Sequence, residues 1–392
     1  MENNYETVCL CALNSIFGYE PRVASALIEN LGSASAVFEM SDADKDAVFG
    51  PYSKYRGKIV KKELDAAEAV LQRLRRDGTV FVGITSEEYP KRLKGCEDAP
   101  LGIFVRSDSP VERIFAGTEH YVAVVGTREI TPYGEQWCRD IVRTLAGSGA
   151  APCIVSGLAY GTDIIAHRTA VECGLPTIAV MATGTDTVYP GRHRGFAEHL
   201  AGLSGCALVT DYPPGTAPVA LNFIRRNRII AGLSDSVILV ESAVKGGGMI
   251  TGRLAFSYNR SVYALPGRGD DSRSQGCNHL IREGVAEIID SLDGLNVQLG
   301  LCEKGRGCRG MQGCCRIVRG DLTERYSRTL PEDKIAAMTA VLLKVRERRG
   351  IDFDGLCDAT GLPYRSVAEV VALLENDGMI SVDLLRRCSI RG

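Results

Sequence analysis

No apolar run in the 392 residues approaches the roughly 20 that a membrane-spanning helix needs, so no span is expected. The opening MENNYETVCL has neither the basic start nor the long apolar core of a secretory signal, which points to the cytoplasm. Charge of one sign is missing too: 46 Lys and Arg face 48 Asp and Glu, a net of −2. That balance excludes global attraction to nucleic acid, so any such partner must be held by a local patch. Histidines number five, and His120, His193, His199 and His279 show no metal-ligand spacing. Cys302, Cys308, Cys314 and Cys315 are not arranged as the CxxC pairs of a zinc ribbon. Cys9, Cys11, Cys153, Cys173 and Cys206 sit singly in apolar segments, as small packed hydrophobes would. No metal or cofactor is therefore expected. The turn VVGTREITPYGE lacks the GxGxxG of dinucleotide binders, which disfavours NAD. Ser156, Asp163 and His167 lie close in sequence, but a nucleophile elbow would need glycine where Ile154 stands. Asp163 and His167, four residues apart, read as a pair on a helix surface.

What remains is an ordinary globular composition, 45% hydrophobic and 24% charged, long enough for two or three domains. Residues 1–78 read as a small helical domain of SAM-like or helix-hairpin-helix type, with Pro21 at a helix start. Residues 79–295 read as an α/β domain. Two strand-like runs, TVFVGI and LGIFVR, come first. From Tyr121 apolar runs alternate with helical segments, in YVAVVGT, APCIVSG, PTIAVMA, CALVTDY, SVILVES, SVYALPG and AEIID. Such alternation predicts a Rossmann-like, doubly wound, mainly parallel sheet covered on both faces. Residues 296–330 are rich in Cys, Gly and basic residues and read as a linker. Residues 331–392 show three helical segments and a strand-like MISVD, the pattern of a winged helix. Its third helix carries Arg365 against Glu369, Glu375 and Asp377, which leaves duplex DNA and protein both open as partners.

The chemistry gathers in LNFIRRNRIIAGLSDSVILVESAVKGGGMITGR, residues 221–253. Arg225, Arg226 and Arg228 precede a buried strand, and Gly246, Gly247 and Gly248 follow it before a helical segment. A glycine-rich turn opening a helix aims backbone N–H groups and the positive end of the dipole at one point, which suits a phosphate. Arginines nearby can clamp further phosphate oxygens. Convergent phosphate donors with neither nucleophile nor general base predict a clamp and no catalytic residues.

IVSGLAYGTDIIAH, GTDTVYPGRHRGF, FIRRNRIIAGLSDSVILVESAVKGGGMIT and YALPGRGDDSRSQGCNHLIREG, in that order and spacing, resemble the DNA-processing protein A (DprA/Smf) family. The resemblance is close over residues of about 80–290. It implies a protein that binds single-stranded DNA in natural transformation, protects it and loads the RecA recombinase, as a homodimer joined through the Rossmann-like domain. By motif, Arg128, Arg226 and Arg228 would contact phosphates, helped by Ser156, Gly157 and the Gly246–Gly248 turn. Asn227 would reach a base edge or hold the loop. Two departures stand out: Thr210-Asp211 replaces the usual Ser-Glu before Tyr-Pro-Pro, and Phe223-Ile224-Arg225 replaces Phe-Pro before the RNR run. The alternatives are a nucleotide-cleaving enzyme of the lonely-guy type and a nucleotide-sensing regulator acting on duplex DNA. For the enzyme, Arg253 stands where an acid is required.

Overall fold

The computed structural model describes residues 4–18, 20–292, 294–301, 322, 326, 330–348, 350–383 and 386–390. The four cysteines at 302–315 and most of the expected linker lie outside these residues.

A nine-stranded sheet runs through the centre. Its strands are β1 (Thr79–Gly83), β2 (Gly102–Arg106), β3 (Tyr121–Val125), β4 (Cys153–Ser156), β5 (Thr177–Val180), β6 (Ala207–Thr210), β7 (Ser236–Leu239), β8 (Ser261–Ala264) and β9 (Glu287–Ile288). The spatial order is β1-β2-β6-β5-β4-β3-β7-β8-β9. Pairing is parallel from β6 through to β9, as the alternation predicts. The first two strands add an antiparallel edge, with β2 paired antiparallel to both β1 and β6.

Side chains divide between two faces with the period of two that a pleated strand imposes. In β3, Tyr121, Ala123 and Val125 enter one core beside Ile229 and Ile230. Val122 and Val124 enter the other beside Ile141 and Leu145. With helices over both faces, every residue of β3 is buried, which accounts for the unbroken apolar run.

Helices Tyr5–Phe17, Pro21–Leu31, Ala34–Glu39, Asp42–Phe49 and Lys61–Arg76 precede the sheet. They share a hydrophobic cluster with Phe81, Leu101 and Phe104 at its antiparallel edge. After the sheet come helices Glu332–Glu347, Phe353–Thr360 and Tyr364–Asn376, with a three-stranded antiparallel sheet of Ile351–Asp352, Ile380–Val382 and Arg387–Ile390. Among the described residues these form a hydrophobic cluster of their own.

The strand order fixes where the chain reverses. From β3 it steps outward through β4, β5 and β6. Helix Ala220–Leu233 then carries it back to β7 on the other side of β3. The turns leaving β3 and β7 therefore diverge, and a crevice opens between them beyond the carboxyl ends of the strands.

Candidate nucleic-acid interface

A cleft of about 580 Å³ occupies that switch point. One wall is the turn after β3, from Gly126 to Glu129, and the opposite wall is Ser242, Ala243 and Gly246–Gly248 after β7. Helix Ala220–Leu233 closes the side with Phe223, Ile224, Arg226 and Asn227, while Tyr189 and Asp163 complete the lining.

The glycine turn arrives as expected. Helix Gly247–Ser257 starts there, its Gly246 cap bears no side-chain bond, and Gly247 is exposed. Arg128 is exposed on the facing turn, its guanidinium 4.9 Å from the Phe223 ring centre. Phe223 meets Tyr189 edge to face at 5.4 Å, and Tyr189 as a residue is 46% exposed. Ile224 is 46% exposed as well. The rim is thus a cation laid on an aromatic pair, flanked by an aliphatic side chain. The arginine pattern carried no signal for these rings, although the spacing of Phe223 from the RNR run and the Tyr-Pro of VYPG were legible.

Arg226 lies under this rim. Its Nη1 donates to the Gly157 carbonyl at 2.7 Å and to that of Val180, and its Nε donates to Asn227 Oδ1 at 3.3 Å. Burial pulls its pKa down to about 10, with Asp163 resisting and Arg128 adding to the fall. It stays charged at neutral pH, but its donors are committed to carbonyls that would otherwise lose their partners. Gly157 permits this approach: a Cβ there would meet the Arg226 guanidinium at 2.5 Å. Ser156 Oγ donates to Val124 O at 2.7 Å and is fully buried. Ser156 and Gly157 accordingly stand behind the cleft, where Gly157 seats Arg226 and Ser156 ties the end of β4 to β3.

Arg228 faces elsewhere. Its Nη2 lies 2.5 Å from Asp211 Oδ2 in a pair withdrawn from water, and its Nη1 donates to the Asp98 carbonyl. Burial acts to lower its pKa, but Asp211 and Asp98 outweigh it and hold the guanidinium above its ordinary range. Asp211 is the acid of the altered Thr-Asp pair, and its carbonyl also accepts from Asn14 Nδ2 at 2.9 Å. Arg225 is half-buried and does not line the cleft. Arg128, Arg226, Asn227 and Gly246–Gly248 are thus brought together at the cleft, whereas Arg225 and Arg228 are not. Asn227 Nδ2 reaches Gly247 O at 3.5 Å and ties the helix to the glycine turn.

The Asp163–His167 pair is not on a helix surface, because helix Thr162–Glu172 is buried between the sheet and helix Pro132–Ala146. His167 Nδ1 is 2.7 Å from Thr177 Oγ, and that hydroxyl donates to Ile154 O at 2.8 Å. Burial first, and Arg226 second, push the His167 pKa down to about 3. Asp163 Oδ2 accepts from Ala159 N at 3.3 Å, and burial raises its pKa against the pull of Arg226. Glu241 is buried at the other wall, where its carboxylate accepts from Thr131 N at 2.9 Å and from the Thr131 hydroxyl. Only the position of Glu241 at the end of SVILVES hinted at it.

Fold and cleft together define a Rossmann-like protein whose switch point carries an arginine, an aromatic rim and a bare helix start in place of a dinucleotide fingerprint. Known proteins narrow the class. The family described as DNA recombination-mediator protein A matches residues 80–300, more than half the chain, and this protein belongs to it. Protein Smf of Escherichia coli K12 is 40% identical over 217 residues, 55% of this chain and 56% of that protein. This chain thus spans little more than half the length of that relative. The X-ray structure of DNA processing protein A from Streptococcus pneumoniae superposes with a TM-score of 0.59 at 28% identity, covering 75% of this chain and 97% of the other. DNA processing protein A from Helicobacter pylori, described for its single-stranded DNA binding mode, gives 0.50 at 30% identity over 57% and 97%.

Proposed function

We propose that this protein binds single-stranded DNA along the switch-point cleft and acts as a clamp in DNA processing during natural transformation. The observation that carries the reading is the rim: an exposed Arg128 over Phe223, with Tyr189 beside it, facing the bare start of helix Gly247–Ser257. Arginine and backbone N–H groups suit phosphates, and exposed rings suit unstacked bases of any sequence. Arg128 and Gly246–Gly248 are the direct phosphate contacts in this reading. Arg226, Ser156 and Gly157 support them from behind, and Asn227 holds the glycine turn. Following the family resemblance, we assign RecA as a partner, a second copy of the chain as a dimer mate through the Rossmann-like domain, and the cytoplasm as the site of action. Among the described residues no helix is long and apolar enough to cross a membrane. We read residues 1–78 as a SAM-like helical unit and the C-terminal helices and strands as a winged helix that meets protein or duplex DNA. Asp163, which lines the cleft, and Glu241, buried next to Ser242 of its wall, both accept from loop N–H groups, which favours a clamp over a nucleotide-cleaving enzyme.

The test is a titration with a poly-dT oligonucleotide at several salt concentrations. If Arg128 neutralises one phosphate, Arg128→Ala flattens the slope of log K against log[salt] by about 0.7. The affinity loss is the same for all base sequences, since phosphate contacts carry no base information. An unchanged slope in a folded Arg128→Ala variant, or equal affinity for duplex, overturns the clamp. Release of a free base from nucleoside monophosphates would return the enzyme reading.

A further inference from the structure

We infer that Glu241 is a specificity-determining residue: an internal anion that fills the place where a terminal nucleotide phosphate would enter the crevice. This rests on the reading above and sharpens it, making the ligand a continuous phosphodiester strand instead of a nucleotide. In open α/β sheets the helix after the first strand presents its N-terminus at the switch point, and nucleotide binders seat a pyrophosphate there. Here helix Pro132–Ala146 follows β3, with Thr131 as its cap. The slot is already taken. The Glu241 carboxylate crosses from the end of the neighbouring β7, accepts from Thr131 N and the Thr131 hydroxyl, and is 1% exposed. It lies against the first helical turn so closely that a Cβ on Gly134 would fall 2.5 Å from its Oε2. Gly126 is crowded by other atoms, the Thr162 hydroxyl first and the Glu241 backbone carbonyl second, so the turn after β3 packs directly on the backbone that carries Glu241.

Two consequences follow from this placement. The positive end of helix Pro132–Ala146 is neutralised from within, so its attraction is unavailable to a guest. The carboxylate also repels any dianionic phosphate that enters beside it. The remaining donors, Arg128 and the start of helix Gly247–Ser257, sit at the rim, where a chain can pass without inserting an end.

The experiment compares wild type, Glu241→Ala and Glu241→Gln by thermal unfolding with inorganic phosphate or acetate, against chloride at equal ionic strength. Wild type keeps only the rim donors and is expected to show the smaller rise with either anion. Glu241→Ala leaves the slot empty and should gain a saturable rise in Tm with both anions. Glu241→Gln keeps the shape but not the charge, so its Tm in chloride should fall, and its response to either anion should not exceed that of wild type. A rise in wild type as large as that in Glu241→Ala, no phosphate response in folded Glu241→Ala, or a Glu241→Gln variant as stable as wild type would each overturn the inference. The last comparison decides the matter even where Glu241→Ala does not fold. Poly-dT binding by the same wild-type preparation separates the two ideas. A lack of DNA binding alongside phosphate gain in Glu241→Ala removes the clamp and leaves the internal anion standing.

Discussion

The Arg228 guanidinium and the Asp211 carboxylate lie 2.5 Å apart with little water around either. Breaking such a pair strands a buried charge, which costs about 3–5 kcal/mol. Arg228→Ala should therefore lower the free energy of chemical denaturation by that order, and Asp211→Ala in the same chain should restore part of it. A stable Arg228→Ala variant with a flattened salt dependence of DNA binding would instead return this arginine to the ligand. His167 makes a pH-dependent forecast. Its folded pKa, about 3, lies below the ordinary 6.5, so below pH 6.5 the unfolded chain takes up a proton that the folded one refuses. Its stabilising effect is present above pH 6.5 and is lost as the pH falls toward 3. Between pH 7 and pH 5 the loss is about 2 kcal/mol. His167→Asn, compared with wild type at those two pH values, should show a smaller difference by that amount; an equal difference would mean that His167 titrates normally. The existence of the RNR arginines was legible in the sequence, but their direction was not. Arginines set among Ile224, Ile229 and Ile230 can equally be a solvated face, and only the carbonyls of Gly157 and Val180 and the Asp211 carboxylate reveal that Arg226 and Arg228 point inward.

Helix Ala220–Leu233 and the turn after β4 are built around one contact. Gly157 has no Cβ where the Arg226 guanidinium passes, so Gly157→Ala must displace it. The expected result is a loss of roughly 1–3 kcal/mol, the cost of overpacking a well-filled site, with poly-dT affinity falling in parallel as the Phe223 rim shifts. Wild-type stability together with wild-type affinity would show that the contact is dispensable. Helix Pro132–Ala146 offers a milder case. Thr131 accepts from Gly134 N at 3.1 Å, and Thr131→Ala should cost about 1 kcal/mol for the lost cap. A larger loss would show how much Glu241 depends on the same hydroxyl. The strands from β3 to β7 were readable because burial on both faces leaves near-continuous apolar runs. The antiparallel edge was not: TVFVGI and LGIFVR mark strands, but nothing in them says which neighbour they pair with.

Across the molecule, hydrophobic clusters say which parts stand together. The N-terminal helices share a core with Phe81, Leu101 and Phe104, so removing residues 1–78 exposes those side chains and should leave insoluble or destabilised protein. The C-terminal helices close on a separate cluster. A chain ending near Leu301 should therefore keep its sheet and bind poly-dT within about 10-fold of full length, or roughly 1.4 kcal/mol. A loss of more than about 100-fold would move the site onto the removed part. The helix bearing Phe223 is bolted to five places at once: through Arg226 to the turn after β4 and to β5, through Asn227 to the glycine turn, and through Arg228 to the segment before β2 and to Asp211 after β6. Such a wall has no slack with which to embrace a guest. Under the clamp reading the shape change on binding falls to the nucleic acid, which must curl its own backbone to lay bases on fixed rings. A limp single strand does this readily, whereas the stiffness of a double helix forbids it.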